Sequence, residues 1–429
     1  MKKRFVSVVL LTMVLLTGCA GSDVQQLTGM GAKVVEKPVQ KQEPISGKEP
    51  VNVVMEPVDV VEGYEALQNF SYELLEQNIE ETNPVLSPVS AYLAMALTGA
   101  GARGETLTEF QTVMGDLEGV PYDLMNGLPK EEEGMIITLA NSAWVDTRLT
   151  PDEEWLGKAS NIYRADVWQA PLATEETKNR MNQWVDEKTN GMIKSILDKP
   201  LDEDARLALL NTIYFKGEWQ RKFSANATTQ REFYLEDGTT KQVEMMQMYE
   251  ENQKYVKNAI AEGVVLPYRD TTKAFVALKP VGELTVREMY AQLEQEDISA
   301  FLQQEEWTLC NLRLPKFEVE FDKKLNDSLQ TMGIEKAFVE GEADFSGLGT
   351  LDTGLGMFIE LVYQKAKVIV DEEGTEAAAV TMVVVATESL AIHEKPPIDI
   401  YFDEPFLYMI MDVEREIPLF VGIMDNPGV

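Results

Sequence analysis

His393 is the only imidazole in the chain, and Cys19 and Cys310 are its only thiols. A Ser-His-Asp or Cys-His hydrolase would have to use His393 as its base, and that residue lies near the C-terminus beside Pro396 and Pro397. Two thiols and one imidazole cannot furnish the four ligands of a Cys/His zinc site, and with Cys19 in an N-terminal signal-like segment they leave no disulfide framework. The acidic runs Glu131-Glu132-Glu133 and Asp371-Glu372-Glu373 lack the alternate-residue ligand pattern of a calcium loop and read as solvated faces. No G-x-x-x-x-G-K-[ST] loop is present, and the glycines of Gly347–Gly356 have neither dinucleotide-binding spacing nor a strand-then-helix setting. No catalytic residue, metal or cofactor is therefore expected, and the chain does not read as an enzyme.

What remains is the stretch from Asp371 to Ser389. It opens with concentrated negative charge and a glycine, passes through small residues, and then becomes β-branched. As a strand it would place Thr375, Ala377, Ala379, Thr381, Val383, Val385 and Thr387 on one uncharged, mostly small face that can be buried. The other face carries Glu376 and Met382 and can meet water. Taken alone this is an ordinary core strand. The following run, with Glu388, Ser389, His393, Glu394, Lys395 and two prolines, has instead the composition of an exposed tail.

The elements that must position this stretch belong to a chain of 429 residues, 45% hydrophobic and 26% charged, which is ordinary globular composition. Lys and Arg total 38 against 72 Asp and Glu, a net charge of −34 that excludes wrapping of nucleic acid through phosphate contacts. Leu67, Phe70, Leu74 and Leu75 predict a helix from Tyr64 through Asn78, broken at Asn83-Pro84. Ser87-Pro88 starts a second helix running to Gly99, and a third is expected near Glu176–Leu197. Leu207–Phe215 reads as a buried strand. Later strands are expected at Gln242–Met248, Gly263–Tyr268, Ala274–Leu278, Asn311–Phe321, Lys365–Val370, Ile398–Phe402, Phe406–Asp412 and Leu419–Met424. The class is α+β, with helices dominating the first half and strands gathered late, and residues 63–429 read as one domain.

Residues 1–18 have the basic, apolar and small-residue order of a secretory signal, too short to span a bilayer. The sequence Leu16-Thr17-Gly18-Cys19 resembles the bacterial lipoprotein box, which implies cleavage before Cys19, diacylglycerol on its thiol, and a secreted chain lipid-anchored at the bacterial cell surface or outer membrane. Residues 19–62, rich in Gln, Glu, Lys and Val with prolines at 38, 44, 50 and 57, read as a disordered, semi-extended spacer from the membrane.

The run Glu372-Glu373-Gly374-Thr375-Glu376-Ala377-Ala378-Ala379 resembles the hinge of the reactive-centre loop of inhibitory serpins. Asn83-Pro84-Val85-Leu86-Ser87-Pro88-Val89-Ser90 resembles that family's second-helix signature, and Leu210-Asn211-Thr212-Ile213-Tyr214-Phe215-Lys216-Gly217-Glu218-Trp219 a strand of its main sheet. Leu314-Pro315-Lys316-Phe317, Ala343-Asp344-Phe345-Ser346-Gly347, Pro405-Phe406 and Leu419-Phe420-Val421-Gly422 follow in the family's order. The resemblance spans roughly residues 63–429. It implies three β-sheets with about nine helices, an exposed loop over about 372–397, and a monomer. It also implies suicide-substrate inhibition of a serine or cysteine protease, in which the cut loop enters the central sheet as a new strand.

Counting forward from Glu372 as the family does places the scissile bond between Glu388 and Ser389, with Thr387 or Leu390 as other candidate determinants and cleavage after Val385 or Ala386 still open. The resemblance further assigns Ser87, Ser90, Asn211 and Gln364 to a polar cluster governing sheet opening. Gln364 stands where the family often has histidine, so no histidine titration is expected there. Trp219, Lys316 and Glu372 are assigned to the place where the loop enters. A non-inhibitory member acting as a binding or carrier module is the rival reading.

Overall fold

A computed structural model of the chain describes residues 25–28, 64–293, 298–303, 306–351, 356–375 and 396–428. The first half runs β1 (Gln25–Thr28), α1 (Glu65–Glu76), β2 (Val85–Leu86), α2 (Pro88–Gly99), α3 (Gly104–Met114), α4 (Gly119–Gly127), β3 (Lys130–Glu132), β4 (Met135–Val145), β5 (Leu149–Pro151), α5 (Glu153–Asn161), β6 (Asp166–Gln169), α6 (Glu175–Lys188) and β7 (Leu207–Glu218). The second continues β8 (Thr229–Tyr234), β9 (Thr240–Lys257), β10 (Ala261–Pro267), β11 (Lys273–Pro280), α7 (Val286–Leu293), α8 (Ile298–Leu302), β12 (Glu306–Pro315), β13 (Phe317–Lys324) and α9 (Asn326–Thr331). It closes with β14 (Gly349–Leu351), β15 (Tyr363–Val370), β16 (Gly374–Thr375), β17 (Ile398–Tyr401), β18 (Phe406–Asp412) and β19 (Ile417–Met424).

Three sheets and nine α-helices are present among the described residues. The main sheet has the order β1-β6-β4-β7-β16-β15-β13, with β3 paired to β4. A nine-stranded sheet follows β17-β12-β9-β10-β11-β18-β19-β2, with β8 paired to the long β9, and β5 with β14 forms a separate ribbon. β4 and β7 pair antiparallel along their whole length. Their two faces serve two cores: Ile213 and Phe215 face the large core shared with α1 and α2, whereas Leu210 and Ala208 face a smaller one beneath α6, with Met181, Trp184 and Val185. Ser87 caps α2 by accepting from the Ser90 amide, and Pro88 occupies the first turn, where its missing N–H is harmless.

The predicted helices near Tyr64 and Ser87 and the late strands are present, with four departures. The third helix stops at Lys188 rather than reaching Leu197, because Asn190 (φ +52°) and Gly191 (φ +81°) adopt the left-handed conformation, and the amides of Ile196 and Leu197 turn instead to the Asn182 side chain, each at 2.9 Å. The strand expected over Asn311–Phe321 is two strands in two sheets, broken at Lys316 after Pro315. In the first half helices hold more residues than strands, as expected. β4 went unpredicted because both of its faces are buried over most of its length, which erases the period-two signal. Within the expected spacer, Gln25–Thr28 is a strand paired with β6.

Candidate functional site

The two residues of β16 sit between β7 and β15: Gly374 is opposite Glu218, Thr375 opposite Gly217, and Val370 opposite Thr375. Among the described residues no register joins β7 to β15 directly, so these strands are neighbours only through β16. Gly374 is required by this close approach, since a Cβ there would lie inside the Gly217 carbonyl oxygen and against the Glu218 backbone. Thr375 is buried, and its hydroxyl shares a 2.6 Å hydrogen bond with Tyr268, whose own ionisation is strongly disfavoured by burial.

A turn built on Asp371 delivers the chain to this position. Its carboxylate accepts from the amides of Glu373 (2.9 Å) and Gly374 (3.2 Å), while its own amide donates to the Gly374 carbonyl. Burial nonetheless raises the Asp371 pKa, more than those amides lower it. The Trp219 amide donates to the Glu373 carbonyl at 2.9 Å, its indole N–H to the Asp371 carbonyl at 2.8 Å, and the Phe223 amide to the Glu372 carbonyl at 3.0 Å. The Trp219 ring is stacked on Tyr268 with centroids 5.0 Å apart, so one aromatic pair touches the turn at one end and Thr375 at the other.

Charge reinforces this backbone seat. Glu372 pairs with Lys316 at 2.9 Å and accepts from the Thr228 hydroxyl at 2.8 Å. Burial opposes its ionisation, but Lys316 and Thr228 outweigh burial and hold the carboxyl below the usual glutamate range. Glu373 pairs with Lys222 at 2.6 Å, and Lys222 also reaches Glu218 at 3.0 Å; despite partial desolvation the lysine pKa is raised by both acids. The structure brings Lys316, Trp219 and Glu372, which the sequence reading grouped, to one turn. It missed Tyr268, Thr228 and Lys222, which belong to no motif and reach the site only through folding.

Lower in the sheet, Gln364 of β15 accepts from the Ser87 amide at 3.1 Å and donates to the Ser87 carbonyl at 2.8 Å, while the Ser87 hydroxyl donates to the Leu419 carbonyl at 2.9 Å. Ser87 is thus both helix cap and sheet contact. Ser90, Asn211 and Gln364 line one cleft between α2, β7 and the 357–364 segment. Asn211 does not bond to the other two. Its amide donates to Asn141 on β4, which in turn donates to the Tyr163 carbonyl at 2.7 Å, and its own buried side-chain oxygen has no partner among the described residues. Asn141 was legible only as an amide in an otherwise apolar run.

Glu376, Ala377, Ala378, Ala379, Glu388, Ser389, His393 and Cys19 lie outside the described residues. Among those described, no group of acidic, His or Cys side chains is arranged to hold a metal, and no helix is long and apolar enough to cross a membrane.

The family model described as serpin (serine protease inhibitor) matches residues 65–427. An uncharacterized serpin-like protein of Thermococcus kodakarensis is 32% identical, over 84% of this chain and 85% of its own. The crystal structure of the thermophilic serpin tengpin in its native state is similar with a TM-score of 0.80 at 32% identity, covering 87% of this chain and 96% of that one. The same serpin in its latent state gives 0.73 at 31% identity, covering 86% and 98%. With the motifs, the three-sheet fold and the family model all in agreement over the same residues, the chain belongs to the serpin family.

Proposed function

We propose that this serpin is a secreted, lipid-anchored inhibitor that traps a serine or cysteine endopeptidase as a covalent acyl complex. The observation that carries the reading is β16: two residues of the hinge are seated as a strand between β7 and β15, and among the described residues no ladder joins those strands beyond them. Extending the same one-for-one register would set Thr381 opposite both Asn211 and Gln364, and Val385 opposite Leu207, the first residue of β7. A strand from Gly374 to Val385 would span about 40 Å. Thr375 faces the large core, so the alternate positions Ala377, Ala379, Thr381 and Val383 would enter the same face, and none carries a charge or a proline. A charge there would be buried without a partner, and a proline would lose a ladder bond.

The chemistry is a substrate's. The protease nucleophile attacks the carbonyl carbon of Glu388, the amine of Ser389 leaves, and an ester or thioester joins the two proteins. Entry of the freed loop into the sheet then carries the acyl enzyme away before water can complete hydrolysis. Cys19 would hold the body at the bacterial surface, with the target an extracellular enzyme.

The test mixes the full chain with Glu-specific, elastase-like, trypsin-like and papain-like proteases and follows denaturing gels with intact mass. A band of summed mass that survives detergent is the expected result, and the mass of the released C-terminal peptide identifies the scissile bond. Clean loop cleavage with every protease left active would sink the inhibitory reading in favour of a binding or carrier module.

A further inference from the structure

β1 lies upstream of the residues that the family model covers. It pairs antiparallel with β6 in the register Gln25↔Gln169, Gln26↔Trp168 and Thr28↔Val167, with an irregularity between Gln26 and Thr28. The opposite side of β6 is taken by β4, so β1 occupies what would otherwise be the open edge of the main sheet. An open edge is a row of unpaired N–H and C=O groups that accepts any compatible strand. Gln25-Gln26-Leu27-Thr28 is compatible, without proline or charge, whereas the prolines at 38, 44, 50 and 57 disfavour the later tail. The receiving strand is well supported: Trp168 stacks on Trp144 at 5.5 Å, and the Arg180 guanidinium lies 4.5 Å from its ring centre. The Trp168 indole N–H is buried without a hydrogen-bond partner among the described residues, and Trp168 is the backbone register partner of Gln26.

The consequence follows from chain length. Between Cys19 and Tyr64 the backbone can extend to about 150 Å, but between Cys19 and Gln25 it can extend only to about 20 Å. We propose that Gln25–Thr28 is a releasable strap. Docked on β6, it converts a long tether into a short one and turns the β6 edge of the sheet toward the membrane; released, it lets the body range outward. β4 and β7 stand between β6 and β16, so docking leaves the hinge strand unobstructed. A ladder of three register pairs is of the same order as the entropy of ordering four residues, which keeps release accessible. The proposal rests on lipidation of Cys19.

The experiment compares the full lipidated chain with a Gln26→Pro/Leu27→Pro variant on phosphatidylcholine–phosphatidylglycerol vesicles. Successive strand residues direct their N–H groups to opposite sides, so two adjacent prolines remove at least one ladder donor whichever way the strand faces. Amide exchange in Asp166–Gln169 is expected to quicken at least tenfold in the variant while β13 and β15 stay unchanged, and tryptophan-to-dansyl-lipid energy transfer is expected to fall. Equal exchange in the two proteins would overturn docking. Faster exchange with unchanged transfer on the vesicles would overturn the tether. Failure of the chain to partition onto vesicles would remove the anchor and the tether with it, whereas the exchange difference, repeated on a soluble Cys19→Ser chain, reports the strand independently of the lipid.

Discussion

The Glu372 carboxylate has Lys316 and Thr228 as partners, and its backbone carbonyl accepts from the Phe223 amide. Because its pKa in the folded protein is depressed, the stability it contributes is fully present above the ordinary glutamate value and is lost as pH falls through the depressed one. Amide exchange at Glu373–Thr375 should therefore quicken on acidification through that window while that of β18 stays constant. Lys316→Ala should cost about 1 kcal/mol by denaturant unfolding, because the lysine remains about a third exposed and water screens the pair. Glu372→Gln should lose the pH dependence and keep the Thr228 contact; exchange that still quickens on acidification in that variant would refute the assignment, since Asp371, whose pKa is raised, shifts stability the other way. At Gly374 the constraint is steric. Gly374→Val places side-chain atoms where the Gly217 carbonyl lies, so β16 should leave the sheet, and more inhibitor molecules should be cleaved for each protease trapped, as read from the stoichiometry of inhibition.

Elements decide which loop substitutions matter. β7 presents alternate residues to two cores, and β16 enters in register with it, so the burial of Thr375 transmits a parity to the rest of the loop. Ala379→Arg would carry a charge to the large-core face opposite Ile213 and should reduce trapping at least 100-fold while leaving cleavage intact. Glu376→Lys, on the alternate face, should change trapping less than threefold. Equal effects of the two on the gel-measured partition between complex and cleaved product would refute the register. The break at Lys316 is informative at this scale too. One hydrophobic run feeds two sheets because Pro315 cannot donate to a continuing ladder, and the break leaves the Lys316 side chain free to meet Glu372.

For the whole molecule, the central strands of the main sheet are joined, among the described residues, only through two residues, and loop entry beside them should be strongly stabilising. Loop cleavage by a protease that is not trapped should raise Tm by on the order of 10 °C or more, as a strand of about twelve residues gains ladder bonds on both sides and buries small side chains. An unchanged Tm after verified cleavage would mean that the loop does not enter. Much of this molecule is local in origin. The Ser87-Pro88 helix start, the strand and helix periodicities and the hinge run Glu372–Ala379 are short-range patterns, and short-range patterns are what composition and spacing encode. By itself the sequence determined the α+β class and the helix entering at Pro88, and its family resemblance pointed to Lys316, Trp219 and Glu372. Only the tertiary structure decided that Tyr268, Thr228 and Lys222 complete the hinge seat, that Asn211 answers to Asn141 rather than to Ser87 and Gln364, and that a piece of the N-terminal tail closes the edge at β6. Those partners are distant in sequence, and a contact made across a sheet has no periodicity along the chain to announce it.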